Sequence, residues 1–352
     1  LSFGGCNYLG LAQDPRVVDA TRTALEQFGL SSSASRETTG NTDPHEALER
    51  RLGAFTGYPA SLLLPDGYTA NLAALQALEA QGFTHALIDE RAHRSLVDAA
   101  RVARMATLRY AHRDPDHAAR TIARTPGRVA LLTDGVFTAD GAIAPLHALL
   151  DALRDSDTLL VDDCHGFGVL GPSGRGTPHH TRTERDPRVL VTTTLSKGLG
   201  CAGGVVLGAE ETLASARANA SAYICTTPAS PALAAGAIAA LGILETDPSL
   251  PARLRENAQH LRSVLAAHAP EIHADPTPIR AFTPADPDTM HALELSLLDE
   301  GIVAPLIRYP GGPASLYFRL SVSAAHTRED IDRFDEILTR LVPRAVGEPL
   351  RS

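Results

Sequence analysis

The chain has no tryptophan, and among its 352 residues a single one, Lys197, is lysine. Lysine and arginine together number 32, so the other 31 cationic side chains are all arginine. A position that needs only positive charge accepts arginine. Arginine, however, keeps its proton in a protein, whereas a lysine amine can be desolvated, deprotonated and used as a nucleophile. The one exception is therefore a candidate for such chemistry, weighed against chance survival of a surface lysine. A basic excess is missing too: the net charge of -9 excludes non-specific attraction to nucleic acid or anionic membranes and leaves only local sites for small anions. Cys6, Cys164, Cys201 and Cys225 form no CxxC pair, so neither a zinc site nor a disulfide framework is expected and a reducing cytoplasm fits. No apolar run approaches the roughly 18 residues of a membrane span, and the opening LSFGGCNYLG lacks the parts of a signal peptide.

What is present suits a large globular core: 44% hydrophobic and 21% charged residues, in a chain long enough for about two domains. Short apolar runs alternate with amphipathic stretches, the pattern of parallel strands joined by helices. Strands are expected at 60–64, 85–89, 106–110, 129–134, 158–163, 189–194 and 203–208, with helical patterns such as RSLVDAARVARM, HAARTIART and PLHALLDALRD between them. Seven strands of this kind predict an α/β sheet covered on both faces, with ligands at the strand ends. A long apolar helix, PALAAGAIAALGILE, runs to a break at DPSLP (247–251). Beyond it, helices from about Ala252 to Ala267, through MHALELSLLDEG and from about Arg328 to Leu341, with strand-like PIRAFTP and YFRLSVS, predict a small α+β domain. The expected division is an N-terminal segment 1–40, a large domain 41–246 and a small domain 247–352.

Three segments carry chemistry. TTTLSKGLG ends a strand on Lys197 and follows it with Gly198 and Gly200, which suggests room for a bulky ligand or, more plainly, a glycine turn. TLLVDDCHGFG places Asp162 and His165 at the end of an apolar strand. A buried carboxylate there needs a cationic partner, such as a protonated pyridine nitrogen. Metal ligation by Asp162, Asp163 and His165 competes but ranks lower, because no further ligand cluster has suitable spacing; no metal is expected. LLLPDGYTANLAALQAL puts Gly67 and Tyr68 at a helix start, where free amides can bind an anion. His93, in DERAHRSLVDAARV, precedes a helix and could stack on a planar ring.

Taken in order, NYLGLAQDPRV, SRETTGNTDPHEALERRLGAFTG, DGYTAN, DERAHRSLVDAAR, TDGVFTADGAIAPL, VDDCHGFGVLGPSGRG, TLSKGLG, ICTTPASP and RLSVSAAHTREDID resemble the α-oxoamine synthase family of fold-type I pyridoxal-phosphate enzymes over nearly the whole chain. The resemblance implies pyridoxal 5'-phosphate as cofactor and an acyltransferase that condenses an α-amino acid with an acyl thioester, on coenzyme A or an acyl carrier protein. It implies that Lys197 links to the cofactor and later removes a proton, that Asp162 pairs with the ring nitrogen, that His165 and Thr138 lie near the phenolic oxygen and that His93 stacks on the ring. Gly67, Tyr68 and Thr194 would hold the phosphate, with Thr226 and Thr227 reaching the neighbouring subunit's cofactor in a homodimer with shared sites. Arg319 would take the substrate carboxylate, with Asn7 and Ser35 beside the amino acid. Cys6, Ser32, Ser33 and YPGGP (309–313) depart from the family pattern, so glycine is not implied as the donor, and the chain begins later than typical members. Another activity on the same fold (aldolase, aminotransferase, carbon–carbon lyase) and a non-catalytic partner subunit stay open.

Overall fold

The computed structural model describes residues 1–269, 272, 274–309 and 312–342. Seven strands, β1 (Ala60–Leu64), β2 (Phe83–Asp89), β3 (Ala106–Tyr110), β4 (Arg128–Asp134), β5 (Thr158–Asp162), β6 (Val189–Thr194) and β7 (Gly204–Gly208), form one sheet in the order β1-β7-β6-β5-β4-β2-β3. The pairings from β3 through β6 are parallel; β7 runs antiparallel to both β6 and β1. β5 and β6 are buried along almost their entire length, which is why TLLVD and VLVTTT read as continuous rather than alternating apolar runs.

Alternation along the strands sends side chains to two separate cores. Leu62, Ile88, Leu132, Leu160 and Val206 face one core, shared with α3 (Gly67–Ala80), α4 (Arg94–Val102), α8 (Glu210–Asn219) and α9 (Ser221–Ile224). Leu63, Leu87, Leu131, Leu159 and Val205 face the other, shared with α1 (Pro15–Phe28), α2 (Asp43–Thr56), α5 (Pro115–Arg124), α6 (Leu146–Asp151) and α10 (Pro231–Thr246). The short α7 (Thr177–Thr181) follows the loop after β5. This is the mostly parallel sheet, covered by helices on both faces, that the alternating sequence pattern predicts.

A third core is built on α11 (Ser249–Ala266), α12 (Pro287–Asp299), α13 (Arg328–Leu341) and an antiparallel sheet of β8 (Ile279–Phe282), β10 (Tyr317–Ser321) and β9 (Leu306–Ile307), with β10 central. Phe3 belongs to this core and packs on Phe334 with ring centroids 4.5 Å apart. The N-terminal segment thus crosses from one core to another. α10 and α11 meet at 79° at the proline-bearing break. α11 starts at Ser249, earlier than expected, because Pro251 falls in its first turn, where a missing N–H costs little. The helix in RSLVDAARVARM stops at Val102, and the chain turns through Arg104 at φ 56°. Among the described residues no single helix is long and apolar enough to cross a membrane.

Sheet edge β1 is anchored by a buried ion network that the sequence does not reveal. Glu49 Oε1 accepts from Arg36 Nη1 at 2.5 Å and from the Leu63 amide at 2.7 Å, and Oε2 accepts from Arg217 Nη2 at 2.9 Å. Removing one partner of such a cluster leaves buried charge uncompensated. Glu49→Ala should cost about 3–5 kcal/mol, read as a lower denaturant midpoint; an unchanged midpoint would contradict this role.

Candidate active site

Asp134 and Asp162 end the adjacent strands β4 and β5 as register partners, and both are buried. Asp162 Oδ2 accepts from Asn71 Nδ2 at 2.7 Å and Oδ1 from the Cys164 amide at 3.1 Å. Asn71, buried on α3, also donates to Ser95 Oγ (2.8 Å) and accepts from Thr192 Oγ1 (2.5 Å), so its amide orientation is fixed. Asp134 Oδ1 accepts from the His93 amide at 3.0 Å. Burial, and then the neighbouring Asp162 carboxylate, push the Asp134 carboxyl well above its ordinary value. His93 caps α4, and its Nδ1 lies 2.7 Å from Ser95 Oγ. The strand expected to include Asp163 ends at Asp162. Asp163 turns away, accepts the Thr177 amide at the start of α7, and is pushed up by burial to about 7. It does not join Asp162 and His165 as a ligand set.

Facing the carboxylates, Lys197 Nζ lies 3.0 Å from His165 Nε2, and His165 Nδ1 lies 2.7 Å from the hydroxyl of Tyr8. Burial, reinforced by cationic neighbours, pushes the His165 imidazole well below its ordinary value. Arg319 reaches from β10 to donate through Nε to the Thr138 carbonyl at 2.6 Å and through Nη2 to Thr138 Oγ1 at 3.3 Å. It thereby connects the small sheet to the end of the large one.

These groups surround a cavity of about 210 Å³ lined by Asp66, Gly67, Tyr68, His93, Ser95, Asp134, Val136, Thr138, Asp162, Cys164, His165, Thr194, Ser196 and Lys197. Eight expected residues, Lys197, His93, Asp162, His165, Gly67, Tyr68, Thr138 and Thr194, therefore come together, and Arg319 reaches Thr138 in the cavity wall. Asn7 lies in a neighbouring cleft beside Ser321 and His326. Ser35 sits in a turn, its carbonyl accepting from Thr38 and Gly40. Thr226 and Thr227 follow α9, with Thr226 Oγ1 donating to the Ala222 carbonyl. None of these four touches the cavity, and residues 310 and 311 of the 309–313 loop lie outside the described residues. The other six lining residues, Asp66, Ser95, Asp134, Val136, Cys164 and Ser196, were not expected, and neither were Tyr8 and Asn71, which support the wall. Asp134 alone had a sequence signal, since it ends VALLTD as Asp162 ends its own apolar strand.

The space beside Gly198 and Gly200 is not left for a ligand. A Cβ on Gly198 would meet the Phe167 carbonyl at 2.4 Å, and one on Gly200 would meet the Ala12 backbone at 2.3 Å, so the chain itself fills both gaps. Gly67 is the glycine that borders the cavity: a Cβ there would sit 3.1 Å from Cys164 Sγ and from Thr194 Cβ. The Gly67 and Tyr68 amides open α3, where first-turn N–H groups lack intrahelical partners. A tight anion-binding cradle, two adjacent buried carboxylates suited to a cationic ring nitrogen, and a primary amine together fit pyridoxal phosphate. A carboxyl held above its ordinary value favours folding at low pH, and that contribution is lost as pH rises. Cofactor-free Asp134→Asn, which keeps the acceptor for His93, should accordingly gain stability to urea relative to the wild type as pH rises from 5 to 8. A stability difference that does not change with pH would show that Asp134 ionises freely.

The class I and II aminotransferase family model matches residues 1–338. An 8-amino-7-oxononanoate synthase of Hahella chejuensis is 37% identical over 341 residues, covering 96% of this chain and 86% of that protein, and one from Xylella fastidiosa strain M12 is 39% identical over 345 residues (97% and 86%). Among solved structures, serine palmitoyltransferase of Sphingomonas wittichii superposes with a TM-score of 0.91 at 26% identity, covering 97% of this chain and 86% of that one. The 8-amino-7-oxononanoate synthase of Francisella tularensis gives 0.82 at 26% identity, covering 97% of each. With the strand-end carboxylates, the amine and the anion cradle already in place, the chain belongs to the class I and II aminotransferase family and, within it, to the α-oxoamine synthases, acyltransferases that work with pyridoxal phosphate.

Proposed function

We propose that this chain catalyses the decarboxylative condensation of an α-amino acid with an acyl thioester, yielding an α-amino ketone, carbon dioxide and free thiol. The observation that carries the reading is Arg319 on Thr138. A guanidinium, suited to a carboxylate by charge and fork geometry, is thereby held against a residue that lines the cavity with Lys197.

Pyridoxal phosphate, when bound, supplies the electron sink that makes the amino acid's α-C–H acidic. Asp162 would hold the ring nitrogen, its carboxylate fixed by Asn71 and the Cys164 amide. Gly67, Tyr68 and Thr194 would take the phosphate, His93 would stack on the ring, and His165 and Thr138 would serve the phenolic oxygen. Arg319 binds the substrate carboxylate. Lys197 takes the α-proton; the electron pair left on the α-carbon attacks the thioester carbonyl, and the C–S bond breaks to release a thiolate, which takes a proton from water to become the thiol. The carboxylate then leaves as carbon dioxide, and Lys197 returns a proton to the α-carbon. His165, kept neutral by burial, offers hydrogen bonds without adding charge.

The division into a segment 1–40, a large domain 41–246 and a small domain 247–352 is part of the same reading. So is a homodimer with shared sites: Thr226 and Thr227 lie away from their own cavity, as a role toward a neighbour's phosphate requires, while Asn7 and Ser35 are assigned to the amino acid by the family resemblance. The thiol belongs to coenzyme A or to an acyl carrier protein. The cytoplasm is the compartment that suits four free cysteines.

Lys197→Ala should give folded protein that gains no visible absorbance from added pyridoxal phosphate and releases no thiol; a variant still yellow and active would contradict the assignment. Arg319→Met should keep the absorbance but raise KM for the amino acid roughly ten- to hundred-fold, the loss of a hydrogen bond to a charged group. An unchanged KM would place the carboxylate elsewhere.

A further inference from the structure

We propose that Tyr8 is a positioning residue: its hydroxyl donates to His165 Nδ1 and fixes that imidazole's proton on Nε2, which faces Lys197 Nζ and orients that amine. The proposal rests on the proposed function only in that Lys197 must present a lone pair.

The groups around the phenol point to the direction of each bond. The Tyr8 hydroxyl, on a side chain only 1% exposed, lies 2.7 Å from His165 Nδ1. The Arg319 guanidinium also faces the phenolic oxygen. A guanidinium only donates, so the Tyr8 oxygen accepts from it and the single phenolic hydrogen remains for Nδ1. The Cys6 thiol, the other group beside the phenol, is a weak acceptor and does not compete with an imidazole nitrogen. Burial keeps the phenol protonated and the imidazole neutral.

A neutral imidazole that accepts at Nδ1 carries its proton on Nε2. That proton points at Lys197 Nζ, 3.0 Å away. With Tyr8 absent, the tautomer can reverse, and Nε2 then presents a lone pair to Lys197 in place of a proton. The charged or titratable groups around this line are Arg319 from β10, His93 at the head of α4, Asp134 and Asp162 at the ends of β4 and β5, and Cys6 and Cys164. Each stays in place when the Tyr8 hydroxyl is removed.

The test uses the full chain freed of cofactor, so no substrate or turnover enters and the proposed reaction can fail independently. Long-range proton–nitrogen spectra of protein labelled with 15N-histidine read the His165 tautomer, the signal being assigned by its loss in His165→Asn. The wild type should show the proton on Nε2, and Tyr8→Phe should shift it wholly or partly to Nδ1. Since Lys197 is the sole lysine, its acylation by acetic anhydride can be followed at one peptide by mass spectrometry. That rate should fall at least five-fold at pH 7.5 in Tyr8→Phe. A proton on Nδ1 in the wild type overturns the proposal whether or not the variant folds, and so does a variant whose tautomer and labelling rate match the wild type.

Discussion

Everything in the site follows from two carboxylates forced side by side at the end of a buried sheet. The parallel register of β4 and β5 makes Asp134 and Asp162 neighbours, and in a low-dielectric interior two such groups cannot both ionise without a compensating cation. The fold supplies neutral donors, the Asn71 side chain and the amides of Cys164 and His93, which orient the charges without cancelling them. A protonated heterocycle meets the remaining need. The lone lysine across the cavity completes the arrangement, because only a primary amine can both carry charge and bond to an aldehyde.

The surrounding elements serve this pair in more than one way. α3 orients Asp162 through Asn71 while its first turn opens onto the cavity beside Gly67. The N-terminal segment packs Phe3 into the small core, places Tyr8 against His165, and lays Ala12 against Gly200 just after Lys197. β10 contributes Arg319 from the small sheet. The site is therefore closed by three parts of the chain that meet only in the folded state, so a shift of the small sheet relative to the large one acts directly on the contact of Arg319 with Thr138.

Much of this was legible in the sequence because its signals are local. Buried parallel strands announce themselves as apolar runs, so all seven were found to within a few residues, and a carboxylate closing such a run identified Asp162. A solitary lysine among arginines identified Lys197. What escaped depends on contacts between distant positions: Tyr8 and His165 are separated by 157 residues, Asn71 and Asp162 by 91, and no periodicity encodes such pairs. Of the two readings of Gly198 and Gly200, room for a ligand fails for the same reason, and the glycine turn is what the chain forms. Glycine marks close approach, but whether a ligand or the chain's own backbone approaches is decided by the fold, and here it is Phe167 and Ala12. Asp163 looked equivalent to Asp162 until the strand ended between them and turned it toward α7.

The central claim is that this one amine forms the bond to the cofactor. Borohydride reduction of the pyridoxal-phosphate-loaded protein, followed by digestion and mass spectrometry, should find a single cofactor adduct on the peptide that carries Lys197. An adduct on the α-amino terminus instead, or a cofactor retained with no reducible bond to Lys197, would contradict the account.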